Sequence, residues 1–181
     1  KQKKAPADTT VVVAMSGGVD SAVSAAILKE QGYEVIGLAL QTTDYSKYAN
    51  DKGKGSCCSI KDMDDARRVA EKIDIPFYVV DTEKTFDSAV VNYFVSDYLQ
   101  GRTPNPCVVC NTKVKFNHLY KKAMDMGADY VATGHYARVS NEPGLGYCLW
   151  KGKDDNKDQT YFLFGLSQTQ LSKTLFPVGH L

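Results

Sequence analysis

Residues 11–28 read VVVAMSGGVDSAVSAAIL, and the fold is decided in this stretch. Val11 to Met15 is a continuous apolar run, the pattern of a strand buried on both faces. Ser21 to Gln31 carries Ala22, Val23, Ala26 and Ile27 at helical spacing, and Gly32 stands where a helix C-terminus favours glycine. Between strand and helix, Gly17 and Gly18 let the backbone approach a ligand and present consecutive N–H groups. The helix N-terminus adds positive partial charge, and Ser16 and Ser21 add hydroxyls. The turn reads as an anion cradle, with a polyphosphate as the expected anion. No lysine follows the second glycine, and the glycine spacing is not that of a dinucleotide fingerprint. Asp20 would repel phosphate unless a magnesium ion lay between them. The alternative is a plain strand-to-helix turn with Ser and Asp as caps.

Outward from this turn the pattern repeats. Glu34 to Leu40 is a second strand, residues 44–56 a polar loop, Asp62 to Lys72 a charged helix, and residues 75–81 a third strand. Phe86 to Gln100 is helical, with Phe86, Val90, Tyr93, Phe94 and Tyr98 as one apolar face. Val114 to Met126 is helical and stops at Gly127, and residues 128–135 supply a fourth strand. Strands alternating with helices predict an α/β open parallel sheet with right-handed, Rossmann-like crossovers. Residues 136–152 read as a hairpin around a glycine turn. The expected organisation is a flexible tail over 1–10, a main domain over 11–135, and a hairpin and helical extension over 136–181. The final LSKTLFPVGHL ends in an apolar stretch, so a further C-terminal portion is expected.

The 181 residues suffice for one sizeable core. No apolar run is long enough to span a bilayer and no signal peptide is visible, so a cytoplasmic location is expected. A net charge of +1 decides nothing about nucleic acid. The five cysteines are an odd number in a chain without an export signal, which argues for reduced thiols. Two of them lie in GRTPNPCVVCNTKVKF, residues 101–116. There Pro104 and Pro106 stiffen an extended segment, and Cys110 is expected at the start of the next helix. With Lys113, Lys115 and Arg102 nearby, its thiol is expected to ionise more easily than that of Cys107, which is placed before the turn. The competing reading makes Cys107 and Cys110 half of a structural zinc site.

The glycine loop, Ser16 to Ser21, resembles that of the ATP pyrophosphatases, which transfer AMP to a carbonyl oxygen and release pyrophosphate held in the loop. Residues 101–116 narrow the resemblance. So do CCSIKDMDDARRVAEKIDIPFYVVD (57–81), ATGHYAR (132–138), KDQTYFLFGL (157–166) and LFPVGHL (175–181). Together they resemble the tRNA-specific 2-thiouridylases over almost all of Val11 to Leu181. The resemblance implies an adenine nucleotide alpha hydrolase-like sheet and ATP-dependent thiolation of the wobble uridine of tRNA. It implies that Cys110 is catalytic. It implies ATP contacts from Ala14, Met15, Ser16, Gly17, Gly18, Val19, Asp20, Ser21, Leu40 and Gly134, with magnesium at Asp20. Base and tRNA contacts would come from Asn105, Pro106, Cys107, His135, Lys157, Asp158 and Gln159. A second cysteine, carrying the persulfide sulfur received from a donor protein, would lie beyond this chain. Many relatives have Asp at the position of Cys107, and an iron–sulfur cluster at Cys107 and Cys110 is the minority reading.

Several residues keep two readings. Lys113, Lys115, Lys121 and Lys122 form either a phosphate-binding stripe or a solvated helix face. Tyr161, Phe162 and Phe164 either stack on bases or, preferred, form a core helix of a small subdomain. Cys148 is expected in the core, and Cys57 and Cys58 are expected to frame a loop. For function, the alternatives are an ATP pyrophosphatase with another acceptor and a nucleotide-binding module without catalysis.

Overall fold

The structure, a computed structural model, describes residues 4–42 and 60–181. The predicted loop at 44–56, Cys57 and Cys58 lie outside the described residues. Strands β1 (Thr10–Ala14), β2 (Glu34–Gln41), β3 (Phe77–Asp81), β4 (Tyr130–Ala132) and β7 (Thr174–Leu175) form one sheet in the order β3-β2-β1-β4-β7. All four pairings are parallel, with Val12 opposite Ile36 on one side and Val131 on the other. Strands β5 (Ala137–Glu142) and β6 (Gly146–Lys151) form the predicted antiparallel hairpin. The fifth sheet strand is absent from the sequence reading: two residues are too few for an alternation to register.

Period-two alternation divides the core. Val11, Val13 and Met15 face helices α1 (Val19–Glu30) and α2 (Ile60–Lys72), packing with Ala25, Leu28, Ala66 and Ala70. Val12 faces the opposite way, with Leu38, Leu40, Val90, Val114, Leu119 and Val131. That second layer comes from α3 (residues 83–99) and α4 (residues 106–125). Val11, Val12 and Val13 are all fully buried. Each contributes roughly 1.5–3 kcal/mol relative to an exposed side chain, which pins β1 at the centre of the sheet.

Helix faces differ from expectation in two places. In α1 the buried residues are Ser21, Ser24, Ala25 and Leu28, not the predicted four. Ser24 tolerates burial because its hydroxyl donates to the Asp20 carbonyl at 2.9 Å. In α3 a wide i→i+5 turn at Asp87–Val91 rotates the remainder of the helix about its axis. Phe86 and Val90 reach the core, but Phe94 and Tyr98 remain outside, stacked edge to face at 4.8 Å. Cys148 is half-buried in β6 opposite Ser140, at the hairpin surface and not in the core. Among the described residues no helix is long and apolar enough to cross a membrane.

Candidate functional site

Parallel sheets of this kind bind ligands beyond the carboxyl ends of their strands, where neighbouring connections leave in opposite directions. Here β1 is followed by α1 on one face and β4 stands beside it, reached from α4 on the other. A cleft of about 200 Å³ opens at this point. Its walls are Ala14, Met15 and Ser16 after β1, Gly18, Asp20 and Ser21 at the start of α1, Leu38 and Leu40 of β2, Thr133, Gly134 and His135 after β4, and Lys115 and Gln159.

The local chemistry suits an anion. Gly18 is the N-cap of α1 and no side chain caps the helix. The first-turn N–H groups therefore lack the side-chain acceptor a plain turn would supply. Ser21 is occupied otherwise: its hydroxyl donates to the Gly18 carbonyl at 2.8 Å and accepts the Ser16 N–H at 3.3 Å, closing the loop on itself. Gly17 adopts φ +81°, and a Cβ there would stand 2.2 Å from the carbonyl oxygen of Asp62, so α2 backs the loop. Gly134 is needed for a similar reason, since its Cβ would meet the backbone of Asp20 and Ser21 at 2.6 Å.

Eight of the ten residues expected around a nucleotide line this cleft. Gly17 and Val19 do not; Gly17 shapes the turn from behind and Val19 points outward. Of the lysine stripe, Lys115 lines the cleft while Lys113, Lys121 and Lys122 are exposed. Burial first, then the Lys115 ammonium, holds the His135 imidazole down at about 4. Its Nδ1 lies 2.8 Å from the Thr133 hydroxyl. The folded protein thus binds the proton less readily than the unfolded chain, whose histidine titrates near its ordinary value. Stability is fully present above about pH 6.5 and falls as the pH is lowered toward 4. Urea denaturation should show the wild type losing about 2 kcal/mol more than His135→Gln between pH 7.5 and pH 5. Parallel losses in the two proteins would mean that His135 is not held neutral.

The cysteine segment is rearranged relative to expectation. Helix α4 begins at Pro106, with Asn105 as its N-cap accepting from the Val108 N–H at 3.3 Å. Proline at N1 behind an asparagine cap is a strong start signal. Cys107 therefore sits exposed in the first turn, while Cys110 lies one turn further in and half-buried, against the Val90–Val114 layer. Position in the helix gives Cys107, not Cys110, the easier access to solvent and to the N-terminal partial charge. Arg102 pairs with Asp97 at 3.0 Å. Among the described residues no three His, Cys, Asp or Glu side chains gather to hold a metal ion, so the zinc and iron–sulfur readings of Cys107 and Cys110 find no third ligand there.

The extension folds back onto α4. Asn111, buried beside Cys110, donates from Nδ2 to the Phe162 carbonyl at 3.2 Å. Leu163 enters a third core cluster with Phe116, Ala137 and Phe176. Tyr161 and Phe164 are 65% and 67% exposed, and residues 160–162 form a single 3₁₀ turn, so the preferred core helix is not formed. Asp158 accepts from the Thr160 N–H and hydroxyl in a local turn. Gln159 binds Tyr136 through both backbone and side chain. Thr133 and Tyr136 lie inside the quoted ATGHYAR segment but carried no role there, and no quoted motif contains Leu38. The register of β2 beside β1 brings Leu38 to the cleft, and the segment leaving β4 brings Thr133 to it and Tyr136 to its rim.

Comparison with known proteins assigns the chain to a family. Residues 9–181 match the family described as tRNA methyl transferase HUP domain. The chain is 56% identical over 171 residues to the tRNA-specific 2-thiouridylase MnmA of Geotalea uraniireducens, covering 93% of this chain and 46% of that protein. It is 54% identical over 169 residues to the protein of the same name from Clostridium perfringens, with the same coverages of 93% and 46%. A "predicted subunit of tRNA methyltransferase" from Methanocaldococcus jannaschii superposes with a TM-score of 0.49 at 16% identity, over 94% of this chain and 68% of that one. The chain spans a little under half the length of the curated relatives it matches. With nearly every residue inside the family match, the chain belongs to the tRNA methyl transferase HUP domain family.

Proposed function

We propose that this protein takes part in ATP-dependent 2-thiolation of the wobble uridine of tRNA in the cytoplasm, with this chain supplying the nucleotide cleft and Cys110. The observation that carries the reading is one cleft that holds an uncapped helix N-terminus, the Lys115 ammonium and the Asp20 carboxylate. Backbone N–H groups and an ammonium attract phosphate, and a carboxylate beside them fits a magnesium ion bridging to it. Held by Asp20, a magnesium ion would neutralise charge on a leaving pyrophosphate. Leu38, Leu40, Ala14 and Met15 give the rest of the cleft an apolar wall against which a base and ribose can pack.

The chemistry follows from the poor leaving group at C2 of uridine. The C2 oxygen attacks the α-phosphate, pyrophosphate departs, and the adenylated oxygen leaves as AMP when sulfur attacks C2. The resemblance supplies the sulfur source: a persulfide on a cysteine outside this chain, loaded by a donor protein. Cys110 then resolves the persulfide, leaving a disulfide that a reductant reopens. Exposed Tyr161 and Phe164 lie on the loop that packs against the Cys110 helix, where aromatic faces suit splayed anticodon bases. Contacts to tRNA are assigned to Asn105, Pro106, Cys107, His135, Lys157, Asp158 and Gln159.

Two measurements test the reading. Asp20→Ala should weaken ATP binding more than about tenfold in magnesium and less than about twofold in EDTA, the loss of one charge-assisted contact. Equal losses in both buffers remove Asp20 from its metal role. Transfer RNA from cells lacking the protein should lose 2-thiouridine specifically, and an unchanged nucleoside composition overturns the proposed substrate.

A further inference from the structure

Tyr136 belongs neither to the glycine loop nor to residues 157–159, yet it touches both. Its ring is buried. Its hydroxyl lies 3.1 Å from Asp20 Oδ1 and 3.3 Å from Lys157 Nζ, and the same ammonium stands 4.8 Å from the ring centroid. The backbone is fixed as firmly. The Tyr136 N–H donates to Gln159 Oε1 at 3.0 Å, and its carbonyl accepts from the Gln159 N–H at 3.2 Å.

The direction of the hydrogen bonds is determined by the groups themselves. A lysine ammonium has only donors and an ionised carboxylate only acceptors. The phenol oxygen must therefore accept from Lys157, and its single proton must point to Asp20. The chain runs Lys157 to Tyr136 to Asp20, each bond polarising the next. A lysine ammonium is charged at working pH, so the donor end persists.

We propose that Tyr136 is the positioning residue of the glycine loop. Lys157 fixes the direction of the Tyr136 hydroxyl, the hydroxyl holds Asp20 Oδ1, and Oδ2 would be left to hold a magnesium ion that accompanies the polyphosphate. The proposal rests on the nucleotide reading of the cleft. It gives residue 157 a part in nucleotide binding distinct from any contact to RNA, and it links the extension chemically to the first turn of α1.

The test is calorimetric titration of this chain with ATP, in magnesium and in EDTA, for the wild type, Tyr136→Phe, Lys157→Met and the double variant. Phenylalanine keeps the buried ring, and thermal melts confirm that each variant is folded. Tyr136→Phe should lose about fivefold to tenfold in magnesium and less than about twofold in EDTA, the loss of one hydrogen bond to a charged group. Lys157→Met should weaken magnesium-dependent binding less, and the double variant should bind no more weakly than Tyr136→Phe, because residues in one chain are not additive. Equal losses of Tyr136→Phe in both buffers, or additive losses in the double variant, overturn the positioning role. A wild type that binds ATP in neither buffer overturns the nucleotide reading itself, and the positioning role with it. A wild type that binds, paired with a Tyr136→Phe indifferent to magnesium, overturns the positioning role alone.

Discussion

Cys110→Ser, in a polypeptide with the full length of the curated relatives, is expected to lower tRNA thiolation by at least about 10³-fold, the scale of losing a covalent participant. ATP binding should stay within about twofold of wild type. Cys110 packs against the Val90–Val114 layer and does not line the nucleotide cleft. Serine there removes the sulfur chemistry without touching the walls that hold phosphate. Cys107→Asp is the informative companion. Cys107 is exposed in the first turn of α4. An aspartate near a helix N-terminus is favourable, so the fold should tolerate it, and much of the activity should remain. The assay is mass spectrometry of 2-thiouridine under anaerobic conditions. A Cys107→Asp variant as inactive as Cys110→Ser would show that Cys107 is required as well and overturn the assignment of the chemistry to Cys110 alone.

Gly134→Ala should be the most damaging single-methyl change in the cleft. Its Cβ would sit 2.6 Å from the Asp20 carbonyl carbon and the Ser21 nitrogen, and 2.9 Å from the Asp20 oxygen. All three are backbone atoms at the head of a helix and cannot swing aside as a flexible side chain would. Either α1 shifts outward or β4 bends, at a cost of about 1–3 kcal/mol by analogy with overpacked cores. The shift displaces the first turn whose N–H groups face the cleft. Magnesium-dependent ATP affinity should therefore fall more than about tenfold, beyond what the stability loss explains in a folded sample. Urea denaturation and ATP titration of the same preparation decide it. Unchanged affinity with lowered stability would confine Gly134 to packing.

Much of this site is legible in the sequence because it is made of consecutive residues. The Ser16–Ser21 loop follows an apolar strand and precedes a helix, so its position at the carboxyl end of a buried strand is readable from order alone. The start of the cysteine helix differs from expectation although its signal is present: Asn105 followed by Pro106 is an N-cap and N1 pair, and it outweighs the apolar period that begins at Val114. Two wide turns, at Asp87–Val91 and Cys110–Leu119, break the 3.6-residue period on which face assignments rest. They turn Phe94 and Tyr98 outward, and in the second Lys115 lines the cleft while Lys113 is exposed. The Asp20–Tyr136 bond joins residues 116 apart, and no local pattern encodes such a partner.

The cleft also has a kinetic character. Its two principal walls follow β1 and β4, strands that pair only when Thr10 and Asp129, 119 residues apart, come together. Closing so long a loop is entropically costly, and nothing local rewards it beforehand. Refolding should therefore be slow, and ATP-binding capacity should return with the last phase of native fluorescence and not before it. A ligand of the finished cleft cannot hasten a step that precedes the cleft. It should lengthen the lifetime of the native state by slowing unfolding, while leaving the rate of folding unchanged.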